Sequence, residues 1–217
     1  MPTVKPGGYF SSLAEALSGT EFTEIGGNSI TADAGFERIE ALLLRHVACP
    51  ERKGSNARGK VLLVGNGGSA AIASHIHNDL SKTLGVRALI FNEAPLLTAL
   101  ANDIEYDAAF ERNTELWAEE GDLVIAISSS GRSENILRAV KASHTNGSHV
   151  VTLSGFSPGN PLRRLGDVNM YVPSSSYGHV EIAHLALLHC LTDRLAAQRG
   201  DAAVIAWETP KQQASGR

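Results

Sequence analysis

Cysteine is scarce. The 217 residues hold two, Cys49 and Cys190, in no CxxC spacing. Neither a disulfide framework nor a thiolate metal site can organise such a chain, and a reducing, cytoplasmic setting is expected. Positive charge is also short: 19 Lys and Arg stand against 23 Asp and Glu, for a formal net charge of -4. A nucleic-acid surface ordinarily needs a basic excess, so no nucleic-acid partner is expected, while a local pocket can still attract a small anion. Long apolar runs are missing too. None approaches the roughly 18 residues of a membrane span, and the start MPTVKPGGYF has neither the apolar core nor the cleavage pattern of a signal peptide. The expectation is a soluble protein that is not exported and has no membrane partner. With 8 prolines, 43% hydrophobic residues and no break in composition, the chain reads as one globular domain with additions at its ends.

What is present is an alternation. Five short, nearly continuous apolar runs, KVLLV (60–64), RALIF (87–91), DLVIAI (122–127), HVVTL (149–153) and VNMYV (168–172), suit parallel strands covered on both faces. Between them helical patterns fall at Ser69–Leu84, Ala94–Asn102, Tyr106–Glu119, Ser133–Thr145 and Pro161–Leu165, and a long final helix runs from Gly178 to Gln198. Before them come a short helix at Tyr9–Leu17, a Gly/Thr/Ser-rich loop over Ser18–Thr31, a helix from Ala32 to Val47 and a polar linker, CPERKGSNARGK. The tail after Glu208 is polar and expected to be disordered. The pattern predicts an α/β fold, a doubly wound three-layer sandwich on a five-stranded parallel sheet, with right-handed crossovers. The boundaries read as an N-terminal helical extension over 1–48, a main domain over 49–200 and a polar tail over 201–217.

In such sheets the ligand sits beyond the carboxyl ends of the strands, near the point where strand order reverses. Two loops there carry chemistry. Gly65-Asn66-Gly67-Gly68-Ser69-Ala70 follows a strand and opens a helix, so its free N–H groups attract an anion. It also satisfies the G-x-G-x-x-(G/A) dinucleotide fingerprint, and Glu93 lies about where that fingerprint wants its ribose-binding acid. A dehydrogenase therefore competes. The second loop, Ser128-Ser129-Ser130-Gly131-Arg132-Ser133, gathers four hydroxyls with Ser133 as N-cap of the next helix. That composition suits a compact phosphate monoester better than a dinucleotide, although a Ser-rich connection can also be an ordinary loop.

Two helices add titratable groups. His75 and Asp79 are four apart and share one helix face, with His77 off it; taken alone, such a pair is usually solvated. In HVEIAHLALLHCLTD, Glu181, His184, Leu185, Leu188 and His189 crowd toward one side. An apolar helix is an expensive place for Glu and His unless they are partnered.

The pair GNGGSAA…H and ISSSGRSENILRAVKAS, on these elements and at this separation, resembles the sugar isomerase (SIS) fold, flavodoxin-like in topology, and most narrowly the phosphoheptose isomerases. The resemblance runs from about Ala34 to Leu195. It implies a phosphate loop at Ser128, Ser129, Ser130 and Ser133, substrate contacts at Asn66, Gly67 and Ser69, and an Asn-Asp pair at Asn102 and Asp103. It implies a catalytic set at Asp79, Glu181 and His189, and a metal set, for zinc, at His75, Asp79, Glu181 and His189, with His184 matching a further histidine.

Two positions depart from the family: Asp79 stands where its general base is a Glu, and Glu181 where it has a Gln. Asp is shorter by one methylene, roughly 1.5 Å of reach, and a misplacement of about 1 Å can cost on the order of a hundredfold in rate. Glu for Gln adds a charge, which favours a divalent metal. The resemblance implies isomerisation of a phosphosugar, sedoheptulose 7-phosphate to a D-glycero-D-manno-heptose 7-phosphate, through an enediolate. No nucleotide cofactor is needed, and a homotetramer is implied whose active sites draw on neighbouring subunits. The alternative is a non-catalytic SIS protein that binds a phosphosugar or a protein as sensor or adaptor.

Overall fold

The computed structural model describes residues 4–44 and 59–200. The expected linker up to residue 58, Cys49, the end of the helix predicted to reach Val47, and the tail from 201 lie outside them.

The five apolar runs form parallel strands β3 (Val61–Gly65), β4 (Ala88–Ile90), β5 (Leu123–Ser128), β6 (His149–Ser154) and β7 (Val168–Tyr171). In space they lie in the order β4-β3-β5-β6-β7, with Val61 opposite both Ala88 and Leu123. The chain reverses direction across the sheet between β3 and β5, which is the switch point of a flavodoxin-like sheet. Strand periodicity divides the core in two. Val61, Leu63, Ile125, Ile127, Val151 and Leu153 face one side, and Leu62, Val64, Val124, Ala126 and Val150 the other.

The helices complete the three layers. α3 (Gly68–Lys82) and α7 (Tyr177–Gln198) cover the first face, α5 (Ala109–Trp117) and α6 (Glu134–Thr145) the second, and α4 (Ala94–Asp103) follows the edge strand β4. The helix predicted over Tyr106–Glu119 is broken: a 3-10 turn at Tyr106–Ala108 precedes α5. The pattern at 161–165 is likewise a 3-10 turn, Leu162–Arg164.

The N-terminal segment corrects the sequence reading. α1 (Pro6–Ser18) and α2 (Ala32–Leu44) are helices as expected, but the stretch read as a loop holds β1 (Glu21–Glu24) and β2 (Ser29–Ile30). β1 pairs antiparallel with β7, Phe22 opposite Met170, so among the described residues the sheet has seven strands, five of them parallel. Gly26 and Gly27, at φ 87 and 84, make the turn of this hairpin. Strands of four and two residues leave too little alternation to stand out in sequence, and the pairing of β1 with β7 is non-local. Phe22, Phe36, Ile39 and Leu43 share one cluster with Leu187, Leu188 and Leu191 of α7. Glu40 accepts hydrogen bonds from Arg194 Nε and, at 2.9 Å, from Gln198 Nε2. The described part of the N-terminal segment thus extends the sheet edge and is built into the core.

Candidate active site

A cleft of about 200 Å³ opens at the switch point, lined by Asn66, Gly67, Gly68, Ser69, Ile127, Ser128, Ser129, Ser130, Ser133, Tyr177 and Glu181. The sheet register explains the convergence: Gly65, which ends β3, lies beside Ile127, and Ser128 beside Ser154. The two loops therefore leave the sheet at one level.

The serine loop is organised so that hydroxyl protons stay available. Gly131 N–H donates to Ser128 Oγ at 3.2 Å, and Arg132 N–H to Ser130 Oγ at 3.2 Å. Each hydroxyl, having accepted a backbone proton, retains its own O–H as a donor. Ser133 is the N-cap residue of α6 but makes no side-chain cap bond; its Oγ stands 3.3 Å from Ser128 Oγ. Ser129 lines the same cleft, and its Oγ is buried with no hydrogen-bond partner among the described residues. A buried hydroxyl without a partner costs about 1–3 kcal/mol, and an anionic oxygen would satisfy it. The N–H groups of the first turn of α6 favour negative charge at the same place.

The first loop differs in one respect. A Cβ on Gly68 would lie 2.4 Å from the Glu181 carboxyl carbon, so the carboxylate of α7 rests against the first turn of α3. The anion position at that helix start is held by the protein's own charge. The start of α6 instead meets the cleft among the serine hydroxyls.

Along α3 and α7 a second group assembles. The ligand atoms of His75, Asp79 and His189 all lie within 4.8 Å of one another. Asp79 Oδ2 is 3.4 Å from His75 Nε2 and 3.6 Å from His189 Nδ1, and the two imidazole rings meet edge-on at 4.8 Å. For a tetrahedral ion with ligands at about 2.0–2.2 Å, ligand atoms stand roughly 3.3–3.6 Å apart. The two separations to Asp79 match this range while the group as a whole spans 4.8 Å, and two imidazoles with one carboxylate are donors that suit a divalent metal such as zinc.

Glu181 is not in this group. It precedes His189 by eight residues, a rise of about 12 Å, and it faces the cleft while His189 faces Asp79.

The crowded side of α7 also divides. His184 is fully buried, its Nε2–H donating to Ser154 O at 3.1 Å, and Leu188 is buried with it. Burial holds the His184 pKa down at about 4, so this ring is a neutral core anchor between α7 and β6.

Of the residues expected at the site, Asn66, Gly67, Ser69, Ser128, Ser129, Ser130, Ser133 and Glu181 meet in the cleft, and His75, Asp79 and His189 meet beside it. Asn102 and Asp103 do not line the cleft; their exposed side chains bond each other at the end of α4. Glu93, the acid of the dinucleotide fingerprint, is exposed before α4 and also lies off the cleft. Sequence reasoning missed Tyr177 at the mouth, and it missed Asn135 and Tyr106, which hold Asn66. Only Asn135, two positions past the N-cap Ser133, carried a positional signal.

The flavodoxin-like sheet and the serine-lined cleft at its switch point are consistent with a SIS domain, whose family model matches residues 52–155. The phosphoheptose isomerase of Thiobacillus denitrificans is 38% identical over 143 residues, 62% of this chain and 73% of the relative. That of Chromohalobacter salexigens is 34% identical over 151 residues, 65% and 76% of the two chains. The chain belongs to the phosphoheptose isomerase family. The solved phosphoheptose isomerase from Neisseria gonorrhoeae superposes with a TM-score of 0.72 at 26% identity, covering 88% of this chain and 96% of that one. The Francisella tularensis structure gives 0.70 at the same identity and coverage.

Proposed function

We propose that this chain is an aldose–ketose isomerase of a phosphosugar, and that it interconverts sedoheptulose 7-phosphate and D-glycero-D-manno-heptose 7-phosphate through an enediolate. The observation that carries this reading is the cleft in which the serine loop, the α6 N-terminus and Glu181 meet, with His75, Asp79 and His189 gathered further along α3 and α7, the helices that border it.

The phosphate rests on Ser128, Ser129, Ser130 and Ser133, which supply short donors to a compact dianion. Asn66, Gly67 and Ser69 meet the adjoining part of the ligand. His75 lies seven residues along α3 from Gly68, about 10 Å, and an extended heptose phosphate spans on the order of 10 Å from phosphorus to C1 at about 1.2 Å per bond. The carbonyl end thereby comes within reach of His75, whose Nε2 lies 3.4 Å from Asp79 Oδ2. Asn102 and Asp103 would join only if a neighbouring subunit or the sugar itself reaches them.

Asp79 removes the proton from the carbon beside the carbonyl. Glu181 stands where the family that the sequence resembles has a Gln, so that family's chemistry needs no base there, and its cleft-lining carboxylate is assigned to orienting sugar hydroxyls. His189, beside Asp79, moves the proton on the neighbouring oxygen. A divalent metal such as zinc, held by His75, Asp79 and His189, would supply Lewis-acid stabilisation of that oxygen's charge in place of the proton movement.

The assembly proposed is a cytoplasmic homotetramer. Support comes from exposed Ile182 on α7 and exposed Phe10 on α1, large apolar side chains that an interface between subunits would cover. Among the described residues, no helix is long and apolar enough to cross a membrane.

The test is conversion of sedoheptulose 7-phosphate by purified protein, with and without chelator, alongside elemental analysis. Asp79→Asn is expected to lose on the order of a hundredfold or more in turnover; Glu181→Gln should stay within about tenfold, since it installs the family's residue at a position assigned no proton transfer. His75→Ala should lower bound metal where Glu181→Gln does not. Phosphosugar binding without turnover under every metal condition would instead make the chain a non-catalytic sensor.

A further inference from the structure

The amide of Asn66 is almost fully committed. Its Nδ2 donates to Asn135 Oδ1 at 2.9 Å, and its Oδ1 accepts from Asn135 Nδ2 at 3.0 Å, so the two side chains form a reciprocal amide pair. A second donor reaches the same Oδ1: the Tyr106 hydroxyl, at 2.7 Å. An amide oxygen has two lone pairs and an amide nitrogen two hydrogens. Both acceptor positions of Asn66 are therefore filled, and one N–H remains.

The three residues come from three segments. Asn66 stands in the loop after β3, Asn135 in the first turn of α6, and Tyr106 in the 3-10 turn before α5. The amide pair thus bridges the two loops that flank the switch point, and the tyrosine closes it from the β4 side. Asn135 is buried at 2% exposure and fixed by its helix. Tyr106 is half exposed, at 49%, so its ring contributes little core packing to set against its hydroxyl.

From this we infer that Asn135 and Tyr106 are positioning residues that lock Asn66 as a hydrogen-bond donor, leaving its free N–H for an oxygen of the bound phosphosugar. The inference rests on the reading that this cleft binds a phosphosugar. It makes a chemical distinction: Asn66 gives a proton to the ligand and does not accept one from a sugar hydroxyl.

The experiment is a double-mutant cycle read by calorimetric binding of sedoheptulose 7-phosphate and by kcat/KM, with melting temperature recorded for each variant. Tyr106→Phe should weaken binding about fivefold, the effect of one neutral hydrogen bond, and should do nothing further on an Asn66→Ala background. Asn66→Asp keeps both acceptor contacts but offers no proton and adds charge, so it should bind more weakly than Asn66→Ala. Additive losses in the cycle would overturn the proposal, as would an Asn66→Asp chain binding as well as Asn66→Ala. Wild-type protein that neither binds nor turns over the sugar phosphate would overturn the underlying reading and this proposal with it. Wild-type binding with additive losses would overturn the proposal alone.

Discussion

His184 and His189 lie five positions apart on one helix and have opposite fates. His189 sits partly exposed beside Asp79 and His75, where an imidazole can bind metal or move protons. His184 is sealed in the core against Ser154, its pKa pushed down to about 4 by burial. Because the folded value lies below the unfolded value of about 6.5, the unfolded state binds the proton more readily. Stability from this group is complete above pH 6.5 and is lost as pH falls toward 4, at up to about 1.4 kcal/mol per pH unit. Urea midpoints at pH 7.5, 6.0 and 5.0 should fall for the wild type and fall less steeply for His184→Gln; parallel curves would show that His184 is not the group. The sequence placed both histidines on an apolar helix, but which of them was buried depended on packing against β6, which no local pattern carries. The pairing of His75 with Asp79 was legible because i, i+4 is a fixed helical relation. The bridge from Asn66 to Asn135 spans 69 residues, and nothing local announces it.

At the scale of elements, the parallel strands were legible because a strand covered on both faces must be apolar throughout. The β1–β2 hairpin was not, since its Gly-rich turn outweighed six strand residues, and the four of β1 find their sheet partner only in the distant β7. The serine loop shows how local chemistry and packing combine. Gly131 has φ 61, and a Cβ there would come within 2.0 Å of Asn160 Oδ1. Asn160 cannot yield easily, because its buried amide bonds Ser154 Oγ, Gly155 O and Ser157 O while Arg163 N–H donates to its oxygen. Gly131→Ala should therefore cost about 2 kcal/mol or more in stability, measured as a shifted denaturant midpoint, and should weaken phosphate binding with it. Full stability in that variant would mean that the loop is far softer than its contacts imply.

For the whole molecule, one sheet edge sorts two kinds of charge. The α3 helix start faces the Glu181 carboxylate, and the α6 start opens on the cleft among four serine hydroxyls, where the proposed phosphate would rest. Family membership, the cleft and the adjacent His75–Asp79–His189 group point to one chemistry, proton transfer between neighbouring carbons of a phosphosugar. The most direct test is to incubate the purified protein with sedoheptulose 7-phosphate in D2O and follow the products by NMR. The account predicts an aldoheptose 7-phosphate carrying deuterium at C2, formed by wild type and not by Asp79→Asn. Recovery of unchanged, deuterium-free ketose from the wild type, with and without added zinc, would contradict it.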